Sequence, residues 1–205
     1  LEILTHIRHS EKVLVMRVFI AVIVLIFSLQ SWTKADDISD FQIEGISIGD
    51  SALDFFSKDE IKKNKQNYYN DDKFIPSEFE YLDFFSTYDA IQITYKKNDS
   101  KFKIYGIAGF LDYPKNIKDC YKKKDEIIND LSTMFPTATI QEESSKHSGD
   151  SSGKSITTSS FIEIDNGAIE VSCDDWSKEV GYLDVLRVDI STNEFIDWVT
   201  NEAYK

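Results

Sequence analysis

The chain has 205 residues, a formal charge of −13, 41% hydrophobic and 13% aromatic residues, and only two cysteines and three histidines. That is enough apolar material for a packed core and too much for a disordered chain. The acidic balance argues against a nucleic-acid binder or a protein held electrostatically on anionic lipid, since both rely on Lys and Arg to neutralise phosphate.

Residues 1–15 (LEILTHIRHSEKVLV) have neither helix caps nor sustained periodicity and stand ahead of an internal methionine. They read as an upstream extension attached by a start assigned too early. Met16-Arg17 then supplies a short basic start, Val18 to Leu29 a charge-free apolar run, and Gln30 to Ala35 a polar exit ending in a small residue. That order predicts a secretory signal peptide over 16–35, cleaved near Ala35. The run is well short of the roughly twenty residues that span a bilayer, so an uncleaved anchor is the weaker alternative. No cysteine follows the run to take a lipid. Periplasmic or secreted localisation is expected, with the membrane met only transiently through the signal peptide.

The remaining residues, 36–205, make one domain's worth of chain with 34 acidic and 19 basic residues, a charge of −15. One arginine, Arg187, is left among eighteen lysines, a ratio that reads as codon usage.

Asp50-Ser51 can cap a short helix through Phe56, and Ser57-Lys58-Asp59-Glu60 has the spacing of a capping box for a second. Tyr68 to Tyr88 is rich in aromatics but irregular and contains Pro76, and is expected to be a loop with at most one short strand. Ile91, Ile93 and Tyr95 alternate with Gln92 and Thr94, Asn98-Asp99-Ser100 is turn chemistry, and Lys101 to Leu111 returns as the second strand of a hairpin. Gly106 and Gly109 within it indicate a bulge or a close neighbour.

From Asn116 to Phe135, Ile117, Cys120, Tyr121, Lys124, Ile127, Ile128 and Leu131 trace one helical face, and Pro136 stops the helix. The polar stretch Glu142 to Ser155 is expected to be a mobile loop. Three strands follow, Ser160–Asp165, Ala168–Cys173 and Tyr182–Ile190, the first two joined at Asn166-Gly167. Ser191 and Glu194 form a capping-box pair for a last helix bearing Phe195, Trp198 and Val199. The fold class is therefore α+β, an antiparallel sheet (hairpin plus three-stranded meander) packed by one long helix and a C-terminal helix, with the helices on one face.

Cys120 lies on the apolar stripe of the long helix, and Cys173 shares a strand face with Ile169 and Val171. Packing helix on sheet brings both sulfurs into one layer, which in an oxidising compartment favours a disulfide. The alternative is two separate buried thiols.

Catalytic motifs do not survive inspection. Gly49-Asp50-Ser51, after the strand-like stretch Ile43–Ile48, resembles the first block of the GDSL hydrolases, in which such a serine is the nucleophile. The resemblance covers barely ten residues. That chemistry also requires a histidine base in an Asp-x-x-His block near the C-terminus, and the exported part has one histidine, His147, outside any such block. Asp50 and Ser51 are better read as helix caps. Gly149-Asp150-Ser151-Ser152-Gly153 matches a nucleophile elbow but lacks the strand before it and the helix after it, and His147 beside it reads as a solvated side chain. The acidic pairs Asp36-Asp37, Asp71-Asp72 and Asp174-Asp175 lack the register of a calcium loop and read as solvated turn acids. No cofactor and no metal is implied.

The candidate ligand or partner surface is the aromatic segment, with Tyr68, Tyr69, Phe74, Phe79, Tyr81, Phe84 and Phe85. Such residues stack on ligands and anchor interfaces, and a run of this kind is otherwise core. The expected function is a non-catalytic binding or interaction domain of the bacterial cell envelope, whose partner is a protein or small ligand of that compartment. The alternative is a small secreted hydrolase using carboxylate chemistry, for which an acidic pair is always at hand in so acidic a chain.

Overall fold

The computed structural model describes residues 37–205, which fall within one compact unit, Lys34–Lys205. The expected extension and signal peptide lie outside the described residues. Among those described, no helix is long and apolar enough to cross a membrane.

Short elements come first. Asp37 caps a 3-10 turn at Ile38–Asp40, and β1 (Gln42–Ile43) and β2 (Ile46–Ser47) form a small hairpin. Ser51 caps a 3-10 turn at Ala52–Asp54 rather than a full helix. The Ser57–Glu60 capping box then opens helix α1 (Lys58–Lys63). The body of the domain is β3 (Phe74–Glu80), β4 (Ala90–Lys96), β5 (Ile104–Asp112), α2 (Ile117–Met134), β6 (Ile140–Lys146), β7 (Ile156–Ile164), β8 (Gly167–Asp175), β9 (Val185–Thr192) and α3 (Asn193–Asn201).

The seven long strands make one antiparallel sheet in the order β3-β4-β5-β9-β8-β7-β6. Two meanders, β3 to β5 and β6 to β9, meet at the central β5–β9 pair. α2 carries the chain from the middle of the sheet to its far edge, across one face.

On that face the sequence pattern is obeyed closely. Ile91, Ile93, Ile107, Ile169, Val171, Leu186, Val188 and Ile190 are buried with Ile128 and Leu131 of α2 in a single core. Each fully buried aliphatic side chain of this size stabilises the fold by about 1.5–3 kcal/mol. Cys120 and Cys173 are joined across the layer, with Cα atoms 6.1 Å apart. Lys124 occupies a buried place on the same stripe; its Nζ donates to Ser160 Oγ at 2.7 Å and lies 3.8 Å from Asp125 Oδ1, which together offset the cost of placing its charge beside the apolar layer.

α3 packs on the opposite face, so the two large helices do not share a side. Phe195 and Trp198 cluster with Phe74 and Ala203, and Trp198 Nε1 donates to Asp71 Oδ1 at 2.9 Å. The close approach is permitted by Gly106, where a Cβ would stand 3.0 Å from the Phe195 ring. Gly109 likewise has a close neighbour, the ring of Tyr88, and the β4–β5 register also shifts at Thr94/Tyr95.

Further expectations are corrected. Residues 74–80 form a full strand: Pro76 is tolerated because β3 is an edge, where a missing N–H breaks no ladder. Residues 142–146 belong to β6, so the second meander has four strands, and only 147–155 is a connection. That connection is drawn together by Asp150, whose carboxylate accepts from Ser152 N, Ser155 N, Ser155 Oγ and Ser177 Oγ. The cap of α3 is Thr192, whose Oγ1 accepts from Phe195 N at 3.2 Å; Ser191 still belongs to the strand and turns its hydroxyl to Asp189.

Candidate functional site

Because side chains alternate along a strand, every residue between the core residues of β4 to β9 faces the side that α3 occupies. α3 covers one end of that face and leaves the rest open. The result is a groove of about 430 Å³, walled by Phe195, Ile196 and Val199 of α3 together with Tyr69, and floored by the sheet. A second hollow of about 280 Å³ continues it toward residues 145–148 and shares Glu143, Phe161, Glu170 and Arg187 with it.

Strand register sets the floor in rows. Gln92, Ala108, Asp189, Glu170, Phe161 and Gln141 lie side by side across six strands, and Phe110, Arg187, Ser172, Ser159 and Glu143 form the next row. Arg187, which the sequence offers only as a matter of codon usage, sits in the middle of the sheet. Its Nη2 donates to Asp189 Oδ2 at 2.8 Å, while its buried Nε has no hydrogen-bond partner. Burial opposes the guanidinium charge, but the carboxylates of Asp189, Glu170 and Asp174 more than offset it and raise its pKa.

Glu170 shows the converse balance. Burial dominates and raises its pKa above the ordinary value, although Arg187 and a 2.7 Å hydrogen bond from Ser159 Oγ favour the charged form. Asp189 also accepts from Ser191 Oγ, and Asp174 accepts from Thr157 Oγ1 at 2.6 Å. The two hollows together are lined by five carboxylates, Glu143, Glu163, Glu170, Asp174 and Asp189, against Arg187 and Lys146. Arg187 is committed to its neighbours, so the open surface is negative.

Phe161 is the apolar centre of this acidic field. Glu170 stands directly opposite it on β8, Glu163 is two residues along its own strand on the same face, and Glu143 lies diagonally across on β6. Glu143 and Glu163 make no hydrogen bond or ion pair among the described residues. An aromatic ring bordered by three carboxylates, two of them without an ion pair among the described residues, suits an organic cation, which gains both from the ring face and from the charges.

No protein-family model, curated protein or solved structure matches the chain.

The structure divides the aromatic segment proposed from sequence. Phe74 lies under α3, Phe79 stacks on Phe56 with ring centroids 3.8 Å apart, and both are buried. Tyr69 packs edge-on to Trp198 at 4.9 Å and reaches the groove wall. Tyr68 is exposed and donates to Glu78 Oε2 at 3.3 Å. Tyr81 and Phe84 are exposed at the far end of β3, where Tyr81 donates to Asp112 and Phe84 packs on Phe85. The seven do not form one patch. Alternation along β3 sends Phe74 and Phe79 to opposite faces, and only Tyr69 borders the groove.

The tempting motifs resolve into structure. Ser51 Oγ accepts from Leu53 N and donates to Lys101 O at 2.7 Å, and Asp50 accepts from Ser47 N. His147 is not a solvated side chain: its ring lies 4.0 Å from that of Trp176, its Nδ1 accepts from Gly149 N, and its Nε2 is 3.9 Å from Asp174. Lys124 and Ser160 have the spacing of a base and nucleophile, but both are buried under α2, where no substrate reaches. Among the described residues no group of three or more His, Cys, Asp or Glu side chains is placed to hold a metal ion. Glu170 and Asp189 are the carboxylate pair nearest to hydrolytic chemistry. They rise from adjacent strands of one floor, whereas glycosidase carboxylates flank the scissile bond from two sides.

Proposed function

We infer that the domain is a non-catalytic binding protein of the bacterial cell envelope, and that the groove between α3 and β6 receives a ligand with an apolar body and one or more positively charged amino groups. The observation that carries this reading is the placement of Phe161 among Glu143, Glu163 and Glu170, with the charge of the neighbouring arginine already paired with Asp189. The ring and the α3 wall take the hydrocarbon, and the carboxylates take the charge. Such a ligand comes from a protein or a small molecule of that compartment.

Calorimetric titration with a linear polyamine and with a lysine-rich peptide tests the site directly. Binding should weaken steeply as salt rises from 50 to 300 mM and should be lost in Glu170→Lys. Salt-independent binding, or full binding to Glu170→Lys, would place the ligand elsewhere.

The localisation belongs to the same proposal. The apolar run at Val18–Leu29 and the cystine support an exported, periplasmic or secreted protein. Mass spectrometry of the exported chain should find a new N-terminus at Asp36; an N-terminus at Leu1 would overturn the processing.

A further inference from the structure

We propose that the outer edge of β6 receives an extended basic segment of a partner protein, which joins the sheet as an eighth strand and lays alternate Lys or Arg side chains into the groove. This rests on the acidic groove described above and adds the mode of binding and the class of partner.

The two edges of the sheet differ. β3 is closed from outside by the chain at 64–66: Gln66 N donates to Pro76 O, Glu78 N donates to Asn64 O, and Lys65 bridges to Ser77. β6 pairs with β7 over its whole length, Ile140 to Lys146, without a bulge, and among the described residues no backbone hydrogen bond reaches its other side. Six of its seven residues are exposed, and it contains no proline. A long regular edge without these protections is a template for another strand.

The open edge is also the rim of the groove. Gln141, Glu143 and Ser145 of β6 line the two hollows, so an added strand would present every second side chain to the same face, about 7 Å apart. Glu143 stands opposite Ser159, and Glu163 lies four residues further along β7, about 13 Å along the strand direction and one strand further from the edge, so of two basic residues four apart on an extended chain one faces Glu143 and the other reaches inward toward Glu163.

Charge selects the occupant. Among the described residues, Glu142, Glu143 and Glu163 have no cationic partner of their own. A second copy centred on the edge would set Glu143 against Glu143, and like charges directly opposite are unfavourable. A basic strand supplies the missing charge instead.

The test uses the full chain and a fluorescein-labelled decapeptide of alternating Lys and Thr, followed by anisotropy. The peptide should bind, Glu143→Lys should weaken it at least tenfold with the far-UV spectrum unchanged, and a fully N-methylated peptide of the same sequence should also lose at least tenfold. Equal binding of the N-methylated peptide would overturn strand addition and leave the acidic groove standing. No binding of either peptide, together with no binding of a polyamine, would overturn both readings. A stable dimer in sedimentation whose β6 amides resist hydrogen exchange would give the edge to a second copy and overturn the proposal.

Discussion

Gly109 on β5 lies under the ring of Tyr88, so close that a Cβ at position 109 would stand 2.6 Å from Tyr88 Cδ1. The obstructing atoms belong to the body of the ring rather than to a flexible tip, and burial holds the ring. Gly109→Ala should therefore cost about 1–3 kcal/mol in urea denaturation. Tyr88→Ala in the same chain should recover part of that loss, because the two residues share one space.

The Cys120–Cys173 bridge closes 53 residues of sequence and is fully buried. In the chain-entropy model such a loop stabilises the fold by about 4 kcal/mol. The double Cys→Ser variant should lower the denaturation midpoint accordingly, and native protein should resist reduction until it unfolds. Peptide mapping without reductant should recover the two cysteines together.

Glu44 ties the first hairpin to the loop before β4. Its carboxylate is partly buried, which raises its pKa, but N–H groups of Ser86, Tyr88 and Thr87 and the Ser86 hydroxyl outweigh burial and hold the pKa below its ordinary 4.5. A depressed folded-state pKa contributes stability that is present above 4.5 and is lost as pH falls through the folded value. Glu44→Gln should cost about 1 kcal/mol at pH 7, given the partial exposure of the group, and the difference from wild type should vanish in acid. Thermal midpoints measured from pH 7 to pH 3 check both arms.

Glu170 has the opposite sign. Burial raises its pKa in the folded state, so the ionised group opposes folding above its ordinary value of 4.5, and the penalty disappears once both states are protonated below it. Glu170→Gln should raise the thermal midpoint at pH 7 and leave it unchanged at pH 3. The same substitution should weaken binding of cationic ligands, so stability and binding part company at this residue, as expected of a group kept for its site.

Glu143 and Glu163 are exposed and make no ion pair among the described residues, so Glu143→Gln and Glu163→Gln should change stability by no more than about 0.5 kcal/mol. Each should nevertheless lower the salt dependence of polyamine binding, measured as the slope of log affinity against log salt.

Much of this protein could be read without coordinates. The stripe from Ile117 to Leu131, the capping box at Ser57–Glu60, the Asn166-Gly167 turn and the shared face of Ile169, Val171 and Cys173 are local signals. Each follows from helix or strand periodicity, or from a side chain satisfying its own backbone a few residues away. The α+β class and the cystine follow from them. β6 was silent for a physical reason: as an outer strand it is wet on nearly every residue, so its sequence carries no apolar alternation. β3 was masked by a proline that only an edge position forgives. The groove was out of reach for a different reason. Arg187, Glu170, Phe161 and Glu143 belong to four strands and show nothing together in sequence; they converge because β9 returns beside β5 and α3 covers only part of the face. Local chemistry determined the elements, and long-range pairing decided which outward-facing residues would meet.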